Sequence, residues 1–258
     1  MESVLEALWN DVIVHLLPTL DSLDGEWIWW CLTGAWIGLP LHAAGLYDED
    51  SPQGSNPPDR YTSSYIPTLS SLIDARRRSA TITTPRTLIL DQSHELENTE
   101  VETQLAQSIL PDGSTTRFSN DEATVFAVRD ILPSYSWWGP LRMSRPSQRK
   151  KSFFERIQVV GRGAYFVGHA ISADRPPDES LHLSFAMQLL GYRSVVATLW
   201  PMGDAQGSIV TEHVYNHLKK KGAMDVRQAS FALRSAVRTL RDQGLSVEQW
   251  ALFIHSGI

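Results

Sequence analysis

Val4, Leu5, Leu8, Trp9, Val12, Ile13, Leu16 and Leu17 recur at helical spacing, and Pro18 is expected to close the run. The stretch 26–31, EWIWWC, predicts an aromatic strand followed by a turn at Thr33 and Gly34. Residues 48–60 mix Asp, Ser, Gly, Asn and Pro and read as an exposed loop. A helix over 70–78 and a linker over 79–85 follow. Beyond the linker the pattern becomes regular. TLIL (87–90) is a buried strand, 95–110 a helix, 115–118 a short strand and 121–132 a helix capped by Asn120. SWW (136–138) is a strand, 153–160 a short helix and AYFV (164–167) a strand. Residues 178–190 form a helix closed by Gly191, SVVATLW (194–200) is a core strand, and helices over 204–221 and 226–243 complete the series. Strands alternating with helices imply an α/β fold, a mostly parallel sheet with helices on both faces.

Composition narrows the function classes. The formal net charge of -6 supplies no basic field for nucleic acid, and the short runs at 76–78 and 219–221 read as solvated helix ends. Gly34, Gly38 and Pro40 break the strongest apolar stretch, so no membrane span is expected, and the first ten residues do not read as a secretory signal. A single cysteine, Cys31, excludes an intrachain disulfide and suits a reducing compartment, the cytoplasm.

Four stretches carry a family likeness: WWCLTGAWIGLPLHAAGLYD (29–48), YTSSYIPTLSSL (61–72), DESLHLSFAMQLLGYRSVVATLW (178–200) and WALFIHSGI (250–258). On these the chain resembles a CHAT domain, a module of the caspase- and separase-like cysteine-protease superfamily, and most resembles its fungal members. The resemblance implies one domain over 1–258, a caspase-like three-layer sandwich. Its core would span 86–258, with 1–80 as an N-terminal extension packed on the same sheet. Tetratricopeptide repeats precede the domain in many members, and none is expected in this chain.

The family's chemistry uses a histidine leaving the third core strand, in a pattern like His-x-x-Cys-His-Gly. It pairs with a cysteine leaving the fourth, in a pattern like Leu-Ser-Ala-Cys. The histidine helps form a thiolate, and the thiolate attacks a peptide carbonyl. Matched residue by residue, SWWGPLRMS places Met143 at the histidine position, and YFVGHA places His169 at the nucleophile position. A thioether accepts no proton, and an imidazole does not replace a thiolate that forms a thioester. The resemblance therefore implies an inactive pseudo-protease used in protein binding or regulation. The alternative is an active cysteine endopeptidase of this family whose segment around 139–163 is altered or misassembled in this sequence.

Other residues invite chemistry. Cys31 is expected to be a buried structural thiol. His94 and His169 follow strands that end on one crevice, but with Asp91 they lack metal-site spacing, so no metal or cofactor is expected. His182, between Leu181 and Leu183, reads as a packing residue, and His42 lies in the family-like LPLHAAG. In LWPMGD, Asp204 matches an acid that in separase-like relatives helps form a pocket for a basic side chain. It also suits a helix N-cap. With Trp200 and His94 it makes the candidate pocket, and the implied partner is a protein or an extended peptide containing arginine.

Overall fold

The computed structural model describes residues 1–21, 27–47, 56, 60–77, 86–91, 99–110, 113–119, 134–139, 178–189, 191–200, 204–220 and 225–258. Helix α1 (Glu2–Leu8) passes through a π-helical turn (Trp9–Ile13) into α2 (Val14–Asp21). Strands β1 (Trp27–Trp30) and β2 (Thr62–Tyr65) and helix α3 (Leu69–Arg77) come next. Then follow β3 (Thr87–Asp91), α4 (Thr99–Ile109), β4 (Thr115–Ser119) and β5 (Trp137–Trp138). The C-terminal part holds α5 (Asp178–Leu189), β6 (Ser194–Thr198), α6 (Asp204–Lys220), α7 (Ala229–Asp242), α8 (Val247–Trp250) and β7 (Phe253–Gly257).

Among the described residues the strands form two ladders, ordered β1-β2-β7-β6 and β4-β3-β5. Every pairing is parallel except β6 with β7, which run antiparallel with Val196 opposite His255. The expected mostly parallel pairing is thus present, divided among the described residues into two ladders. β1 and β2 do more than pack on that sheet: they extend it, β2 lying beside β7. The expected strand 164–167 and the helices 121–132 and 153–160 lie outside the described residues.

Alternation along β7 sorts the layers. Ser256 faces α5, its Oγ donating to Ser184 Oγ at 3.2 Å, while Phe253 and His255 face a crevice walled by α7. Helices therefore cover both faces of this sheet, and α6 bridges α7 and α4. One hydrophobic cluster includes Leu5 and Trp9 of the N-terminal helix, Ile89 of β3 and Phe253 of β7.

The N-terminal helix departs from expectation. Pro18 lies inside α2 instead of ending it. The π-turn restarts the helix at Val14, an exposed residue whose carbonyl is the one that Pro18, lacking an N–H, does not bond. The extra residue of the turn also shifts the apolar face. Leu5, Leu8, Trp9 and Ile13 are buried, while Val4 and Leu16 are exposed. Two boundaries also shift. β6 ends at Thr198, and the last predicted helix begins with a 3-10 turn (Val226–Gln228) capped by Asp225, whose Oδ1 accepts from the Arg227 backbone N–H at 3.0 Å.

Candidate functional site

The expected catalytic crevice begins at the carboxyl ends of β3 and β5. Trp137 is buried there, and Gly139 crosses close over β3, its N–H donating to the Leu88 carbonyl at 2.7 Å. A Cβ at Gly139 would sit 2.7 Å from Ile89 Cγ1, so any larger residue there must displace the Ile89 side chain. Met143, His94 and His169 lie outside the described residues. Asp204 is the first residue of α6, which follows β6. Trp200 binds the neighbouring turn, its indole N–H donating to the Glu248 carbonyl at 2.9 Å. Among the described residues no group of three or more His, Cys, Asp or Glu is arranged to hold a metal ion.

Cys31 corrects the sequence reading: it is exposed, not buried. It follows β1, whose residues alternate between half-buried and buried, so the next position points outward. Its sulfur lies 3.7 Å from the Pro67 carbonyl oxygen, an acceptor that cannot deprotonate a thiol.

A second polar system went unread in the sequence. On β7, His255 sits between two serines, with Nε2 2.7 Å from Ser194 Oγ and Nδ1 2.9 Å from Ser64 Oγ. Ser64 Oγ donates to the Gly257 carbonyl at 2.7 Å, so it accepts from Nδ1–H, and Ser194 donates to Nε2. Burial lowers the imidazole pKa to about 3, keeping it neutral. The Ser194–His255 distance matches a nucleophile and its base, but Ser194 is 0% exposed and His255 2%, so the trio ties β6, β7 and β2 together. Nearby, His42 Nδ1 lies 2.8 Å from Tyr65 Oη, and burial lowers this imidazole pKa to about 4 while raising that of Tyr65. The signal for both was a histidine inside an otherwise apolar or small-residue run.

These two histidines line a crevice between α7 and the β2–β7 face, a cavity of about 60 Å³. Its α7 wall carries Ser230, Leu233, Arg234, Val237, Arg238 and Arg241, one stripe of the helix. Arg241 stacks on Tyr47 and Trp250, with 5.5 and 5.2 Å to the ring centroids, and Arg234 Nη1 donates to Thr62 Oγ1 at 3.3 Å.

Residues 167–258 match the CHAT domain family. No curated protein matches the chain. Among solved structures, the separase of the Saccharomyces cerevisiae separase–securin complex aligns with a TM-score of 0.57 and 14% identity, over 77% of this chain. The complex of the pro- and mature domains of RgpB from Porphyromonas gingivalis aligns at 0.58 and 9% identity, over 97% of this chain and 68% of that one. The Arg-specific cysteine proteinase gingipain R aligns at 0.59 and 10% identity, over 97% of this chain and 66% of that one. This chain spans only 14% of the separase chain. The family match bears out the resemblance to the CHAT family over residues 167–258, and the chain shares its fold with separase and gingipain R.

Proposed function

We propose that the chain is a catalytically inactive CHAT-type pseudo-protease domain, spanning 1–258, that acts in protein binding or regulation in the cytoplasm. The observation that carries this reading is Met143 and His169 at the positions where the family has its histidine and cysteine. The chain's only thiol, Cys31, gives no substitute nucleophile: it sits at the end of β1, against a carbonyl oxygen. Two neighbours support a surviving peptide-binding role. One is solved as a complex with the protein securin, and another is specific for arginine. The resemblance supports an arginine pocket at Asp204, the first residue of α6, with Trp200 and His94 as its other members.

Two outcomes are expected. Against a library of peptides with basic and acidic residues at the cleaved position, the protein shows no thiol-dependent turnover. Turnover abolished by Cys31→Ala would restore the active-protease alternative. Arginine-containing extended peptides bind weakly, and Asp204→Asn weakens them by about 1–3 kcal/mol, the worth of a charged hydrogen bond. Titration of both proteins, beside thermal melts, measures this. Equal affinity in the two, or no binding to either, removes the arginine pocket.

A further inference from the structure

Among the described residues, the crevice between α7 and the β2–β7 face is lined by neither Asp204 nor Trp200, and its chemistry is independent of the pseudo-protease reading. Its lining has two features in common with an anion site. Three arginines at i, i+4 and i+7 of α7 (Arg234, Arg238 and Arg241) line one wall. No aspartate or glutamate lines it among the described residues. Asp21, which accepts from the Tyr61 hydroxyl at the rim, is already paired with Arg60.

The floor supplies a second, independent observation. Ser63 on β2 and Ser230 on α7 both line the crevice, and their Oγ atoms are enclosed and make no hydrogen bond. A buried hydroxyl without a partner is costly, and such groups ordinarily mark a bound water, ion or ligand. These are short side chains where a strand face meets a helix, and the space they leave is the cavity itself.

Size selects the guest. At about one water-sized atom per 10–15 Å³, a cavity of about 60 Å³ takes roughly four to six non-hydrogen atoms. A carboxylate offers three atoms and two acceptor oxygens. A phosphoryl group offers five atoms, with charge spread over three terminal oxygens, which suits a wall of guanidinium groups and two hydroxyl donors. The apolar lining of Leu233, Val237 and Phe253 lowers the local dielectric and strengthens each such contact.

We infer that this crevice binds the phosphoryl group of a small phosphorylated molecule. Arg238 meets it at the mouth, Arg234 and Arg241 flank it, and the Ser63 and Ser230 hydroxyls donate to its oxygens. The remainder of the ligand stays outside, because only the head group fits.

The test titrates the intact chain with inorganic phosphate and, separately, with acetate, at ionic strength held constant with sodium chloride. Binding is read by calorimetry and by the melting temperature. Saturable binding of phosphate, tighter than acetate by tenfold or more, is expected. Arg238→Gln alters an exposed residue and is expected to weaken phosphate about tenfold. Ser230→Ala removes an unpartnered hydroxyl, so the free protein melts no lower than wild type, yet phosphate binds at least threefold more weakly. A merely structural serine would not show that split. Absence of saturable phosphate binding, equal binding of acetate, or wild-type affinity in both variants overturns the assignment.

Discussion

Gly257→Ala is expected to cost at least about 4 kcal/mol, the tail of the range for single substitutions. Gly257 has φ 113°, in the region L side chains avoid. A Cβ there would overlap the Arg193 carbonyl oxygen and lie 2.8 Å from its carbon, and both atoms are backbone. The strand cannot shift to relieve the clash. Ile258 N–H donates to that same Arg193 carbonyl at 2.8 Å, and the Gly257 carbonyl accepts from Trp29 Nε1 at 2.9 Å and from Ser64 Oγ at 2.7 Å. Movement loosens contacts to three elements at once. Gly244→Ala is the control: φ is 77° but nothing lies within 4 Å of the added atom, so only the backbone penalty of about 1–2 kcal/mol applies. Urea unfolding of both variants measures the difference, and equal costs would refute the overlap.

Acid should unfold the protein well above the range where carboxylates titrate. His255 and His42 are held neutral, with pKa values of about 3 and about 4 against the ordinary 6.5, both lowered mainly by burial. Between 6.5 and those values the unfolded chain binds protons that the folded chain refuses. Stability is therefore complete above 6.5 and falls as pH drops through the window. Two such groups give a slope approaching 2–3 kcal/mol per pH unit near pH 5, about 1.4 for each proton. Asp225, lowered by its hydrogen bond to Arg227, and Glu248 add their loss only at lower pH. The check is the urea midpoint from pH 7.5 to 4.5, together with the imidazole resonances of the folded state. A His255 resonance that titrates near 6.5 would defeat the argument.

Much of the fold was legible because its signals are local. TLIL and SVVAT are runs of aliphatic and β-branched residues bounded by polar turns, and they became β3 and β6. Phe253–Gly257 carried no such signal. Its His, Ser and Gly are buried only because Ser64, Ser184 and Ser194 arrive from far along the chain to satisfy them. The order of the strands is likewise a property of distant pairs. Cys31 was misread because residue type was weighed above the alternation of Trp27–Trp30. The arginine stripe on α7 was visible as spacing, but its meaning depended on the empty space opposite. The dyad positions were reached by resemblance alone, and Met143 and His169 lie outside the described residues.

The position of β7 also dictates the order of assembly. It lies between β2, about 190 residues upstream, and β6, so neither neighbour finishes its hydrogen-bonding edge until residue 257 has left the ribosome. During synthesis β1 and β2 can pair with each other while the inner edge of β2 stays open. Closure of this sheet therefore waits for β7, and a nascent chain stalled before Phe253 exposes two strand edges together, making it a substrate for chaperones or a seed for aggregation.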